Sequence, residues 1–434
     1  AAKITGASVF YLAALLNKRF IKHNHRTHSP LHPTFSAYRQ AHLQANPVLA
    51  TDMEIRHGSF YLGLLRDSEF SLKRSISASL LEDILSDVEN IRLAWKRTVT
   101  AGNFRLIQSA LSSWMIVLEN RGWFREAIHD LEALSARLSE NTSDAPETTA
   151  SYIQVKKFQG ELYYRVGDHP SGIRELQSGL QHINGNDFLA EESEIYRLLG
   201  DHYSASGLYD DSKEMYRHGL VLAEKIGNLP LIYQSIHSLG EEAYLEADYQ
   251  GAISIVEHAL ELARQLEDKN KIAQSLNDLG KLYYKVRDYP RAMELLTEAL
   301  TSAPDVKGQV LKCGILATTG KVLTARQDYV SACKVFSQGL NLVRDSGASG
   351  LIVEMLVDIS ELLNFMNEKP VAMTLVNSVA DHTSASTETR TRIVLLQKSL
   401  TVEKVQPEPR KWNGDQLRHI IGDVIQILDQ KIKS

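Results

Sequence analysis

Four histidines near the start of the chain are the first residues whose type and spacing could do chemistry. His23, His25, His28 and His32 fall within ten residues, and imidazole nitrogens are common zinc ligands. No carboxylate is interleaved with them, and neither of the two cysteines lies near. We therefore interpret this stretch as a solvated segment with one structural histidine, and we predict no metal site there.

A phosphate-binding loop is the second candidate, and it needs the spacing G-x-x-x-x-G-K-[S/T] so that backbone amides surround the phosphates. The nearest approach runs from Gly314 to Gly320, Lys321 and Val322. Its glycines are one residue too far apart, and a valine stands where a hydroxyl should reach magnesium. No nucleophile-elbow motif is present either. The sequence therefore indicates no ATP site, no enzyme and no cofactor.

The composition argues against several other classes of protein. The 434 residues carry 48 Lys and Arg against 53 Asp and Glu, and a net charge of −5 disfavours direct nucleic-acid binding. Hydrophobic residues make up 43%, which is enough to form a folded core. The longest apolar run near the N-terminus, from Ala7 to Leu16, is too short to span a bilayer. Two cysteines cannot form a disulfide framework, so we expect a reduced, cytoplasmic chain with two core thiols.

A repeat with a period of 40 residues organises most of the chain. Glycines recur in one register at Gly160, Gly200, Gly240, Gly280 and Gly320. Nine residues after each glycine lies a tyrosine or histidine, and twelve residues after it lies a small residue. Five glycines in one register are improbable by chance in a chain with 25 in total. The pattern is typical of a repeat protein.

Each repeat unit is predicted to be a hairpin of two amphipathic helices. Apolar residues around the glycine have helical spacing, and a turn follows, as at residues 286–290. Asp288 suits the N-cap of the second helix, because its carboxylate can accept a free backbone N–H. Pro290 suits the first helical turn, where no N–H is needed. The glycine and the small residue would let the two helices approach closely.

This pattern resembles the tetratricopeptide repeat. The glycine, an aromatic residue three positions later and the small residue match that family, as does a large residue on the second helix: Leu176, Tyr216, Val256, Leu296 and Phe336. The unit has 40 residues against the usual 34. The resemblance covers residues 106–380, with a degenerate upstream unit containing Gly122 and a downstream unit with Ser360 in place of glycine. It implies an all-α, right-handed superhelix of antiparallel helix hairpins.

The first 100 residues resemble the entry to the repeat sensor of bacterial signal-transduction ATPases with numerous domains, where a winged-helix module precedes the repeats. The resemblance lies in residues 12–21 (LAALLNKRFI), 32–35 (HPTF) and 89–95 (ENIRLAW). It implies a winged-helix tail at 1–48, a helical connector at 49–105, the repeat array at 106–380 and capping helices at 381–434. It also implies a nucleotide-binding domain upstream of residue 1.

The tetratricopeptide resemblance further implies where a ligand binds. First helices line the concave face of such a superhelix, and positions six and three before the glycine, and one and four after it, point into the groove. The candidate binding residues are Gln154, Lys157, Glu161, Tyr164, Arg197, Asp201, Gln234, His237, Glu241, Tyr244, Gln274, Asn277, Lys281, Tyr284 and Lys321. Tyrosines offer contact area and amides can hydrogen-bond a peptide backbone. A plain solvated helix face is the alternative interpretation.

The charge of these columns changes sign along the chain. Glu161, Asp201 and Glu241 give way to Lys281 and Lys321, which predicts a bound peptide or protein segment with its acidic end towards the two lysines.

Two functions are consistent with these patterns. The first is a repeat sensor that binds a peptide, a protein or a small-molecule inducer and regulates an attached ATPase or transcription regulator, with an oligomer allowed on activation. The second is a free-standing adaptor that assembles other proteins. A phosphate loop within about 300 residues upstream of residue 1 would favour the sensor.

Overall fold

The computed structural model describes residue 45 and residues 47–74, 78–140, 146–185, 187–303, 309–344, 348–382, 384–402 and 417–433. Every regular element in these ranges is an α-helix, which confirms the all-α expectation for this part of the chain. The predicted winged-helix tail (1–48), apart from residues 45, 47 and 48, lies outside the described residues, as do the four clustered histidines and nearly all of the predicted linker (401–414). No helix in the described part is long and apolar enough to cross a membrane.

The chain divides into two compact units, Ala1–Ile226 and Gly227–Ser434. The described helices of the N-terminal unit are α1 (Pro47–Arg74), α2 (Ala78–Ser86), α3 (Val88–Thr100), α4 (Phe104–Asn120), α5 (Phe124–Glu140), α6 (Pro146–Val166), α7 (His169–Gln181), α8 (Leu189–Ala205) and α9 (Tyr209–Lys225). Those of the C-terminal unit are α10 (Leu229–Leu245), α11 (Tyr249–Gln265), α12 (Lys269–Lys285), α13 (Tyr289–Ser302), α14 (Gln309–Ala325), α15 (Tyr329–Val343), α16 (Ser349–Phe365), α17 (Lys369–Val379), α18 (Thr387–Val402) and α19 (Leu417–Lys433).

The helices from α6 to α17 pack as six consecutive hairpins, α6/α7 to α16/α17. We call α6, α8, α10, α12, α14 and α16 the first helices and their partners the second helices. Within each unit a first helix also contacts the next first helix, as α6 contacts α8 and α14 contacts α16. The side of the first helices that carries the candidate binding residues is called the first-helix face.

The repeated glycines lie where the two helices of a hairpin cross. A Cβ atom built on Gly280 would lie 2.7 Å from Leu296, and one on Gly240 would lie 2.7 Å from Val256. The same clash occurs at 2.4–2.5 Å between each of the other repeat glycines and the side chain sixteen residues later. Such distances leave no room for a methyl group unless the facing side chain shifts. The predicted close helix approach is therefore confirmed.

Turns between the helices of a hairpin follow one design. Asp168, Asp248, Asp288 and Asp328 cap the second helices, each accepting a hydrogen bond from the backbone N–H three residues later. Pro290 lies in the first turn of α13, as expected. The residue before each cap has a positive φ, and it is Gly167 in one repeat but Ala247, Arg287 and Gln327 in others. Asn367 takes the same conformation in the turn of the last hairpin, so this turn holds a non-glycine residue in the left-handed region four times.

The two degenerate units differ from the regular repeat. Gly122 lies in the turn between α4 and α5 with φ of 70°, so it is not the counterpart of the crossing glycines. Ser360 does stand at the crossing position of α16, where it is buried and donates its hydroxyl to the Leu356 carbonyl. Cys313 and Cys333 are buried, free thiols of the C-terminal core, as the sequence predicts.

Candidate binding face of the first helices

All fifteen candidate residues lie on first helices. Gln154, Lys157, Glu161 and Tyr164 lie on α6, and Arg197 and Asp201 lie on α8 of the same unit. In the C-terminal unit, α10 carries Gln234, His237, Glu241 and Tyr244, α12 carries Gln274, Asn277, Lys281 and Tyr284, and α14 carries Lys321. Because each unit is a separate body, the face is described for each unit in turn.

Ion pairs order the first-helix face of the N-terminal unit. Lys157 of α6 pairs with Glu194 of α8, and Arg197 pairs with Asp201 one turn further along α8 at 2.6 Å. The Tyr216 hydroxyl, on the second helix of that hairpin, donates to Asp201 Oδ1 at 2.9 Å. The Nε–H of Arg197 is buried without a hydrogen-bond partner among the described residues. These contacts fix the side chains but leave donor capacity at Arg197.

Glu161 is the carboxylate at the centre of this charged group. It makes no hydrogen bond or ion pair with any described residue, although its environment is half-buried. Burial raises the pKa of Glu161, while the charges of Lys157 and Arg197 act in the opposite direction. Burial also raises the pKa of Glu119 on α4, and the charge of Glu161 raises it further. Both carboxylates therefore lack a cation close enough to offset their desolvation.

Tyr164 supplies an aromatic edge to the same face. Its side chain is 42% exposed, and its ring lies 5.7 Å from the ring of His169 and 5.5 Å from that of His202. His202 is fully buried and fills the space beside Gly172, where a Cβ would meet its ring at 2.1 Å. The Tyr164 ring therefore packs against the two histidine rings and leaves part of its surface exposed.

The face of the C-terminal unit is centred on a carboxylate that the sequence columns do not include. Asp278 Oδ2 lies 2.9 Å from His237 Nε2, and Asp278 Oδ1 accepts a hydrogen bond from Lys281 at 2.9 Å. Burial alone would lower the pKa of His237, but the hydrogen bond and charge of Asp278 raise it. Burial would raise the pKa of Asp278, but Lys281 and His237 bring it down to about 2. The three groups therefore form one charged cluster between α10 and α12.

Two candidates in this unit are buried, although the sequence columns predict that they point into the groove. Asn277 is only 5% exposed, and its Oδ1 accepts a hydrogen bond from the Thr318 hydroxyl of α14 at 3.0 Å. His237 is 8% exposed and engaged by Asp278. Consecutive first helices contact one another, so the position three before the glycine is covered by the neighbouring helix. The expectation that this column faces solvent is wrong at these two residues.

The two lysines expected to receive an acidic ligand are already paired. Lys281 binds Asp278, and Lys321 Nζ lies 2.8 Å from Glu354 and 3.4 Å from Asp358 on α16. Burial alone would lower the pKa of Lys321, but Asp358 and Glu354 raise it. The predicted change of charge therefore does not produce a free cationic patch among the described residues.

The aromatic part of this face consists of two tyrosine pairs at equivalent repeat positions. The rings of Tyr244 and Tyr249 are 5.9 Å apart, and those of Tyr284 and Tyr289 are 6.0 Å apart. Lys285 Nζ lies 5.2 Å from the centre of the Tyr244 ring, a cation–π geometry. Tyr244 and Tyr284 remain half-buried, so part of each ring is exposed.

The acidic residues that sequence reasoning missed have a recognisable signal. Asp278 and Asp358 stand two positions before the crossing residue, in a column that holds Phe158 and Leu198 in the N-terminal unit. The column also holds Ser238 and Thr318, so the signal is a carboxylate where the other repeats have an uncharged residue, which indicates a partner for the charge. Glu354 and Glu361 continue the polar columns one further 40-residue step beyond α14, onto α16.

No cluster of three or more His, Cys, Asp or Glu side chains that could hold a metal ion occurs in the part of the chain that the structure describes.

Comparisons with known proteins agree on the helical repeat. Residues 234–305 match the family described as tetratricopeptide repeat. These residues run from α10 to just beyond α13 and include the Asp278 cluster. The described part of the chain is all-helical, and this segment consists of tetratricopeptide repeats. No curated protein matches the sequence.

Two solved structures show the same fold at low identity. One is a signal transduction ATPase with numerous domains from Pyrococcus horikoshii, which has a tetratricopeptide-repeat sensor, with 14% identity and a TM-score of 0.53. The match covers 99% of this chain and 62% of the ATPase. The other is the apo form of RapI, with 12% identity and a TM-score of 0.50, over 66% of this chain and 96% of RapI.

Proposed function

We propose that the chain is a binding scaffold that acts as a sensor. A peptide or protein segment binds the first-helix face, and its binding regulates an attached signal-transduction ATPase or transcription regulator. The attached partner is proposed from the sequence resemblance of residues 1–100, because the structural likeness to the Pyrococcus horikoshii ATPase, at 14% identity, concerns the fold alone.

The proposal rests on the polar groups of the N-terminal unit's first-helix face, which lie beside an exposed aromatic ring. Glu161 is half-buried with a pKa raised by burial, and the Nε–H of Arg197 is buried without a hydrogen-bond partner among the described residues, near the accessible ring of Tyr164. Burying such groups without partners costs free energy, which a ligand that supplies the partners would recover. An N–H donor facing Glu161 and a carbonyl facing Arg197 are what a peptide backbone offers. A solvated helix face would leave these groups fully hydrated instead.

A thermal-shift screen of peptides and small molecules tests this proposal, since a ligand that binds only the native state raises the melting temperature. A ligand found in this way is then titrated against Tyr164→Ala and against Val221→Ala. Val221 is 62% exposed on the second helix α9, so it serves as the matched control. Tyr164→Ala should weaken binding about fivefold, because loss of an aromatic contact costs on the order of 1 kcal/mol. Equal affinities for both variants would place the ligand elsewhere.

A small-molecule inducer and a peptide are tested by the same screen. Peptides and small molecules are both included, and any ligand found is titrated against Tyr164→Ala in the same way.

A further inference from the structure

Helix α18, which follows the last hairpin, packs against both helices of that hairpin, α16 and α17, and its start reaches onto the first-helix face of the C-terminal unit. Near its start, Glu388 lies 3.6 Å from Lys285 Nζ on α12. One turn later, Arg392 binds Asp358 and Glu361 on α16. Since α12 and α16 are first helices of hairpins two apart, the beginning of α18 spans the position where a ligand of this unit would lie.

One attachment of α18 is a charged cluster. Arg392 Nη2 donates to Asp358 Oδ1 at 2.5 Å and to Glu361 Oε2 at 2.8 Å, while its Nε donates to Glu361 Oε1 at 3.1 Å. The Asp358 side chain has no exposed surface, and its Oδ2 makes no hydrogen bond with any described residue. Burial raises the pKa of Asp358 to about 6, with Lys321 and Arg392 opposing the rise. Arg392 therefore compensates a carboxylate that would be costly to leave alone.

Apolar residues of α18 also join the hydrophobic core of the C-terminal unit. Ile393, Leu396 and Leu400 are buried, whereas Val394 and Leu395 on the opposite side are 60% and 62% exposed. A helix with apolar residues on both sides, tied to the repeats by ion pairs, differs from a cap whose polar outer side faces water.

We propose that α18 is an intramolecular occupant of the binding face, which a partner of the C-terminal unit displaces. The partner segment places a guanidinium or ammonium group on Asp358 and Glu361, where Arg392 now lies. This rests on the proposed function for the identity of the face, but the occupancy itself is a property of the free chain. Tethering gives α18 an effective concentration in the millimolar range, so a displacing ligand must bind well or act where the tether is weakened.

Hydrogen exchange on the full chain tests whether α18 opens separately. Arg392→Gln should speed exchange of the α18 amides at least tenfold and leave α16 and α17 unchanged, because the hairpin keeps its own core. Arg392→Lys should lie between, since it keeps the charge but loses the bidentate geometry. Lys398→Gln removes an exposed charge from the same helix and should exchange like the wild type. Exchange of α18 that stays unchanged in Arg392→Gln, or rises together with α16 and α17, overturns the proposal.

A milder variant guards against general destabilisation. Glu388→Lys places a like charge beside Lys285 without touching the buried cluster, and it should speed α18 exchange about two- to fivefold. The double variant Lys285→Glu/Glu388→Lys should return the rate towards the wild type. An unchanged exchange rate in Glu388→Lys would show that the contact between Glu388 and Lys285 does not hold α18 in place.

A labelled peptide of residues 384–402 tests whether the vacated face accepts a helix. It should bind the Arg392→Gln chain at least tenfold more tightly than the wild-type chain, where the tethered α18 competes. The same peptide carrying Arg392→Gln should not show this preference. Equal binding to both chains would contradict the proposal. Neither experiment uses an external ligand, so a failure of the proposed function would leave both results standing.

Discussion

Gly280 shows how a single residue sets the geometry of a hairpin. A side chain at this position would enter the space of Leu296, so Gly280→Ala should lower the free energy of unfolding by about 1–3 kcal/mol, and Gly280→Leu by at least as much. Chemical denaturation of the variants measures both effects. The opposite sign for Gly280→Ala, a gain from better helix propensity, would mean that Leu296 moves aside at little cost.

Gly314 provides the matched control on a neighbouring first helix. A Cβ at this position would meet nothing within 4 Å, so Gly314→Ala should raise stability by up to about 1 kcal/mol through helix propensity alone. Leu296→Ala combined with Gly280→Ala should cost less than the sum of the single changes, because the smaller side chain relieves the clash.

The pair of His237 and Asp278 predicts a dependence of stability on pH. Because the folded-state pKa of His237 is raised above its ordinary value of 6.5, its contribution is complete below pH 6.5 and is lost as the pH rises through the folded-state pKa. The lowered pKa of Asp278 adds a contribution that is present above pH 3.8 and is lost towards pH 2. Asp278→Asn should therefore cost about 1–3 kcal/mol near pH 6 and less above pH 8.

Denaturation curves between pH 5 and pH 9 measure this difference. His237→Gln should remove the same part of the pH slope, and the double variant should remove no more of it. If the difference in unfolding free energy between wild type and Asp278→Asn stayed constant across this range, the protonation of His237 would not depend on Asp278.

Individual residues differ in how far the sequence reveals them. The crossing glycines are predictable, because a missing side chain in a regular column has a steric meaning that every repeat enforces. Asn277 is not, because its burial depends on how closely α14 packs beside α12, and the column around it is polar in either case. The partners of Lys321 lie on α16, where Ser360 replaces the glycine that marks the register in the other repeats.

At the level of elements, the turn between first and second helices stores strain. Ala247 has φ of 62°, a conformation that costs an L-residue about 1–2 kcal/mol, and the equivalent residue in the preceding repeat is Gly207. Ala247→Gly should therefore raise the free energy of unfolding by about 0.5–1 kcal/mol after the entropy of glycine is included. Gly207→Ala, the matched reverse change, should lower it. Thermal unfolding of both variants measures these changes. A loss of stability in both variants would show that backbone strain does not govern this turn.

Helix boundaries within the repeats could be predicted, whereas the placement of α18 could not. The cap aspartates recur at 40-residue intervals and mark the start of the second helices from sequence alone. Helix α18 has no repeat register, and its position is fixed by Arg392 reaching carboxylates more than 30 residues away in the chain. Such long-range charge pairing leaves no local pattern in the sequence.

At the level of the whole molecule, the repeats place the residues that pack the hairpins and the residues of the proposed binding face on different sides of the first helices. The hairpins interlock through the glycine crossings, and the same first helices carry the polar and aromatic residues on another side. In the N-terminal unit that side keeps unused hydrogen-bonding groups at Glu161 and Arg197. In the C-terminal unit it is occupied by internal ion pairs and by α18. The two units therefore offer a ligand different surfaces built from the same repeat.

Carboxyl footprinting with and without a ligand from the thermal-shift screen tests the central claim that the first-helix face binds the ligand. Glu161 and Glu241 on first helices are compared with Glu214 and Glu257, which are exposed on second helices. We expect the ligand to lower the modification rate of Glu161, of Glu241 or of both at least threefold, and to leave the modification rates of Glu214 and Glu257 unchanged. Protection confined to Glu214 and Glu257 would contradict it and place the ligand on the second helices.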